Sequence, residues 1–202
     1  MCKEHKNINL GFTAEPFPEG THMCLIYNNE EERARVISKF LEAGVKEKEQ
    51  VSYLAYDMNK EEMDNWLRSA GVSISENEII LSSTTEAYCP TGEFIPENML
   101  NKLRQLYDDS KKNNYSSARI SGEMIWALDN ISGSERLMEY ESLINRVVVT
   151  HPITAICQYD ANKFDGATIL NCLKVHPYMI IKSQIVKNPY YLKPEEYLEE
   201  NN

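Results

Sequence analysis

The stretch HMCLIYNNEEERARVISKFLEAG, residues 22–44, decides the fold class. Its opening, HMCLIY at 22–27, is a short apolar run bounded by a polar turn, the pattern of a buried strand. The period then changes, and Val36, Ile37, Phe40 and Leu41 fall on one face of a helix. Asn29 is placed to cap that helix, with Glu32 three residues on, and Gly44 is placed to stop it. A strand followed at once by an amphipathic helix is the repeating unit of an α/β protein.

The unit recurs to the end of the chain. VSYLAYD (51–57) reads as a second strand and NKEEMDNWLRSAG (59–71) as a capped helix ending in glycine. EIILSSTTEAY (78–88) reads as a third strand, and the CPTGEFIP connection leads to a helix over about 96–111. ARISGEMIWALDN (118–130) is the fourth strand, followed by a helix through SERLMEYESLINRVV. ITAICQYD (153–160) is the fifth, DGATILNCLKV a helix, and YMIIKSQIV (178–186) a last strand. The aromatic, Pro-containing tail NPYYLKPEEYL is expected to fold back on the body. Alternation of this kind implies right-handed crossovers and a three-layer α/β sandwich with a mostly parallel central sheet. The organisation expected is a polar N-terminal arm over 1–20, a single domain over 21–198 and an acidic tail over 199–202.

Charge and composition exclude several function classes. The net charge of −10, with KK at 111–112 the one Lys/Arg doublet, leaves no basic stripe for a phosphate backbone, so direct nucleic-acid binding is not expected. No apolar run reaches the length of a membrane span, and MCKEHKNINLGFTAEPFPEG has no apolar core of a secretory signal. Five cysteines, Cys2, Cys24, Cys89, Cys157 and Cys172, form an odd set without tight spacing, which fits a reducing cytoplasm.

The turn after the first strand tests for nucleotide chemistry. A P-loop there needs G-x-x-x-x-G-K-[ST], glycines so that backbone N–H groups close round the phosphates and a lysine to neutralise them. The chain instead has YNNEEERAR, whose Glu30, Glu31 and Glu32 complement the helix dipole and repel a triphosphate. ATP is therefore not expected as a cofactor. With no G-x-G-x-x-G and no G-x-S-x-G elbow either, no enzyme is expected. The alternatives kept open are a RecA-like nucleotide binder with an atypical loop and a metal or redox module.

Ligands of such sheets sit beyond the carboxyl ends of the strands. Tyr27, Tyr56, Tyr88, Trp126 and Tyr159 are expected at that edge, with Glu123, Gln158, Asp160 and Asp57 around them. Five rings could line a pocket for a small apolar or methylated ligand, or could simply cap strands where core meets solvent. Arg119 lies four residues before Glu123 on the same strand face, about 13 Å away, so each charge needs its own partner. Gly122 between them permits close approach of a neighbouring element. Cys172 and His176, four apart on one helical face, are the metal candidates, while Cys24, Cys89, Cys157, His22 and His151 stand isolated in sequence. His176 precedes Pro177 and so also marks a helix end.

HMCLIY, ISGEMIWAL, YESLIN, ICQYD, HPYMII and NPYY, in this order, resemble the MEDS family, the DcmR-type sensory domain of methanogens and methylotrophs. The resemblance covers about residues 20–198. It implies a relative of RecA/KaiC-like proteins without a working P-loop, which senses small hydrocarbon derivatives or one-carbon compounds. Family members are often joined to histidine kinases or DNA-binding domains. No such output domain is recognised in this sequence, so signalling through a separate histidine-kinase or transcription-regulator partner is expected. The matching positions are His22, Tyr27, Arg119, Glu123, Trp126, Glu141, Gln158, Tyr159, Asp160, His176, Asn188, Pro189 and Tyr190.

Overall fold

The computed structural model describes residues 6–72 and 78–200; Cys2 and the start of the N-terminal arm lie outside them, as does the end of the acidic tail. The strands are β1 (Asn7–Ile8), β2 (Phe17–Pro18), β3 (His22–Tyr27), β4 (Gln50–Ala55), β5 (Ile80–Ser83), β6 (Ala118–Glu123), β7 (Thr154–Asp160), β8 (Tyr178–Ile181) and β9 (Gln184–Lys187). The helices are α1 (Glu30–Lys46), α2 (Lys60–Ser69), α3 (Thr84–Tyr88), α4 (Pro96–Lys112), α5 (Leu137–Thr150), α6 (Gly166–Val175) and α7 (Pro194–Glu200). The main sheet runs β5-β4-β6-β7-β3-β8-β9, parallel throughout except for the antiparallel β8–β9 pair.

Strand alternation sorts the residues into two cores. Met23, Leu25, Val51, Tyr53 and Ile156 face Val36, Ile37, Phe40 and Leu41 of α1. Cys24, Leu54, Ile120 and Cys157 face the other layer, where Leu103, Tyr140, Ile144 and Cys172 pack from α4, α5 and α6. Asn29 caps α1 as expected, its side chain accepting from the Glu32 N–H, and Asn59 with Glu62 forms a full capping box on α2.

Several local expectations are corrected. The strand beginning near Glu78 stops at Ser83, whose hydroxyl caps α3, so Tyr88 lies on a helix. The 118–130 strand stops at Glu123 and continues as a 3-10 turn over Met124–Leu128, which carries Trp126 into the core. The last strand is a hairpin, because Lys182 and Ser183 both take positive φ (49° and 60°) and reverse the chain. The lead-in over 7–18 pairs β1 with β2 and buries Ile8 and Leu10.

Gly44 does not stop α1, which runs on to Lys46; it makes room for Arg119. Arg119 is fully buried, donating to the Glu49 carboxylate and to the carbonyls of Phe40 (2.6 Å) and Asn9 (3.1 Å). A Cβ on residue 44 would stand 2.5 Å from Arg119 Cδ and 2.7 Å from Val51 Cγ2. Gly44→Ala is therefore expected to lose about 1–2 kcal/mol in urea denaturation, because the overpacking outweighs the gain in helix propensity. A more stable variant would mean that the guanidinium does not need this space.

Candidate functional site

β3 and β7 lie side by side, with Tyr27 opposite Asp160, and the helices that follow them, α1 and α6, cover opposite faces of the sheet. This is the switch point at which open α/β sheets hold ligands. Here the turn after β3 is tied down. Ala161 N–H donates to the Tyr27 carbonyl (2.8 Å), Asn162 Nδ2 donates to the Asn28 carbonyl (2.9 Å), and Glu32 accepts from the Lys182 N–H (2.7 Å). Arg33 turns inward beneath it. Its guanidinium grips Glu30 through both oxygens (2.7 and 2.6 Å), lies 3.0 Å from Glu123 and donates to Tyr53 Oη (2.8 Å). Tyr53 in turn donates to Glu123 (2.6 Å), and Trp66 Nε1 donates to Glu30 (2.9 Å). Burial raises the Glu123 carboxyl above its ordinary range, against the pull of Arg33 and Tyr53.

Beside this lock, at the carboxyl ends of β3 and β8, is a cavity of about 520 Å³. Ile26, Leu173, Met179 and Ile181 give it an apolar floor, and Asn28, Glu31, Glu32, Arg35 and Lys182 stand among its polar lining.

On the other face of β3 and β7, six chemically reactive side chains meet in the interior. His22 and Cys24 from β3, Cys157 from β7, Glu141 from α5, and Cys172 and His176 from α6 and its C-terminal end are all buried. His22 Nε2 lies 3.0 Å from Glu141 Oε2 and 3.4 Å from Cys157 Sγ. Cys157 Sγ lies 3.2 Å from the same oxygen and His176 Nε2 3.4 Å from it. Tyr159 Oη donates to Glu141 Oε1 (2.8 Å). The imidazole centroids lie 4.2 Å apart with the rings tilted by 46°, so one positive charge is strongly preferred over two. Burial, and next the neighbouring His176, lowers His22 to about 4. Burial opposes charging His176 too, but Cys24 and Glu141 outweigh it and raise that ring to about 9. Burial works to raise Glu141, yet the His176 and His22 rings beside it hold it below the usual carboxylate range.

The expected edge set is thus divided. Tyr27, Glu123, Gln158 and Asp160 do gather at the switch point, with Gln158 held by Ser121 (3.0 Å) and lying 3.5 Å from Arg33. Tyr56 follows β4 and donates to Asp129 (3.1 Å), while Asp57 sits exposed next to it. Tyr88 and Trp126 instead stack on one another in the core, centroids 4.8 Å apart, and Gly122 lets the Tyr88 hydroxyl come close. Tyr159 leaves that edge and points to the α5 side of the sheet, where its hydroxyl meets Glu141. Arg119 stands at the amino end of β6, far from the edge, as an internal tie. His176 stands one residue past the end of α6 in extended conformation, not on its helical face, yet Cys172 Sγ still approaches its Nδ1 (3.5 Å). Sequence reasoning passed over Arg33 and Tyr53. The available signal was periodicity: Arg33 continues the Val36–Ile37–Phe40 stripe one turn back, as Glu141 sits inside the Leu137–Tyr140–Ile144 stripe, and a charge in an apolar stripe needs a buried partner.

Residues 21–177 match the family described as MEthanogen/methylotroph, DcmR Sensory domain (MEDS). The transcriptional repressor DcmR of Methylorubrum extorquens (strain DSM 6343 / CIP 106787 / DM4) is 25% identical over 160 residues, which span 77% of this chain and 57% of that protein. Two archaeal structures share the fold. The flagellar accessory protein FlaH of Methanocaldococcus jannaschii has a TM-score of 0.62 at 12% identity, covering 90% of this chain and 84% of its own. The KaiC-like protein PH0186 of Pyrococcus horikoshii OT3 has a TM-score of 0.60 at 16% identity, covering 87% and 79%.

Proposed function

Because the chain belongs to the MEthanogen/methylotroph, DcmR Sensory domain family, we propose that it is a non-catalytic sensory module that binds a small organic ligand and signals through a separate regulatory partner. The observation that carries this reading is the exchange made at the switch point. The place of a phosphate loop is taken by Asn28–Glu32 and closed by the Arg33–Glu30–Glu123 network, and an apolar-floored cavity of about 520 Å³ lies next to it. Three carboxylates at the start of α1 oppose a triphosphate there.

Size limits the ligand. Small-molecule sites commonly enclose about 300–1,000 Å³. A bare one-carbon compound has two or three heavy atoms, and at a ceiling of about 1.5 kcal/mol per atom it would bind only weakly. A larger methylated molecule fits the cavity better. Regulation of transcription, the role carried by the name of the repressor relative, would then pass through a partner such as a DNA-binding protein or a histidine kinase. Among the described residues no helix is long and apolar enough to cross a membrane, and Cys24, Cys89, Cys157 and Cys172 are free thiols, which supports a place in the reducing cytoplasm.

Native mass spectrometry of protein purified gently from its host tests the reading. The expected result is a retained organic molecule, released on denaturation and absent from Met179→Trp, whose indole fills the cavity floor. Retention of a nucleotide would instead favour an atypical RecA-like binder.

A further inference from the structure

We propose that His22, Glu141, Cys157 and His176 bind one zinc-like divalent transition-metal ion in the protein interior. This assignment does not rest on the cavity reading above. The four donor atoms lie within 4.8 Å of one another. Their separations around Glu141 Oε2 are 3.0, 3.2 and 3.4 Å, and His22 Nε2 stands 3.4 Å from Cys157 Sγ. With metal–nitrogen bonds of about 2.0–2.1 Å and a metal–sulfur bond of about 2.3 Å, the edges of a tetrahedral shell measure about 3.3–3.6 Å. The cluster is thus almost at coordination spacing.

The surrounding hydrogen bonds select the same lone pairs. Asn145 Nδ2 donates to the carbonyls of Val175 (2.8 Å) and Ser142 (3.1 Å), which turns its Oδ1 toward His22 Nδ1 (3.3 Å). His22 Nδ1 is then the protonated nitrogen, and the Nε2 lone pair faces the cluster. His176 Nδ1 lies 2.8 Å from the Cys172 carbonyl, so its Nε2 likewise faces inward. Tyr159 holds the second oxygen of Glu141. Metal-bound histidines and carboxylates are oriented in this way by their outer partners.

His176 Nε2 is buried and approaches Glu141 without a hydrogen bond. A proton is directional and leaves such an atom unsatisfied, whereas a cation at the centre satisfies all four donors together. Two positive charges from the metal balance one carboxylate and one thiolate, so the filled site is neutral, as a water-free interior requires. The cysteine gives up its proton on binding. Cys24 and Cys172 form a rival set with His176, which would use Nδ1, but the carbonyl contact occupies that nitrogen.

Cobalt(II) titration of the chelator-treated full chain, followed by optical spectroscopy, tests the assignment. One equivalent should give tetrahedral d–d bands and a thiolate-to-cobalt charge-transfer band. Cys157→Ser should lose the charge-transfer band and bind at least tenfold more weakly. Cys172→Ser should keep both. No stoichiometric cobalt or zinc binding by the folded protein overturns the proposal, as does loss of the band in Cys172→Ser with retention in Cys157→Ser. X-ray absorption on the cobalt-loaded wild type needs no variant to fold: one sulfur with nitrogen and oxygen ligands supports the site, and two sulfurs or none overturn it.

Discussion

Glu141→Leu, unfolded in urea with chelator present, is expected to lose about 3–5 kcal/mol of stability, the usual cost of removing one partner from a buried charged pair. The carboxylate accepts from Tyr159 and lies against His22, Cys157 and His176. Leucine fills the volume but leaves the Tyr159 phenol without its acceptor and removes the carboxylate charge that faces both imidazoles in a region closed to water. Glu141→Gln keeps an oxygen for Tyr159 and should lose less. A leucine variant within about 1 kcal/mol of wild type would show that the cluster carries no buried charge.

Arg119→Met should cost a similar amount, about 3–5 kcal/mol, for a different reason. The methionine fills the tunnel beside Gly44 but abandons Glu49, itself buried, together with the carbonyls of Phe40 and Asn9. Adding Glu49→Leu to the same chain removes the orphaned carboxylate, and the double variant should recover part of the loss. Denaturant midpoints of the two single variants and the double variant form the cycle that measures this. If the double variant is less stable than either single one, the ion pair is not the source of the cost. Neither outcome should alter ligand binding, because Arg119 sits at the amino end of its strand, away from the switch point.

The distinction between Arg119 and Glu123 illustrates what a linear reading could reach. Both fall on one strand face, and their spacing ruled out a direct pair, as found. Which one borders the crevice depended on Glu49 and Arg33, each far away in sequence. Tyr88 and Trp126 were placed at the edge because the strands before them were read as continuing through Thr84 and Met124. Local hydrogen bonding, with Ser83 capping α3 and a 3-10 turn after Glu123, redirected both rings into the core. Periodicity is blind to such redirection because the same apolar residues suit either course.

The alternation of the six main strands with the helices between them, the capped start of α1 and the absence of a phosphate-loop motif were determined by sequence alone, since each depends on residues within one or two turns of chain. The buried cluster was decided only by tertiary structure. His22, Glu141, Cys157 and His176 come from four separate elements, and no spacing along the chain relates them. Parallel pairing of β3 with β7 sets Cys24 beside Cys157, and packing of α5 and α6 over that pair brings the carboxylate and the second imidazole to the same point. A residue's chemistry is local, but its partners are chosen by the crossovers, and those are settled only when the whole sheet is assembled.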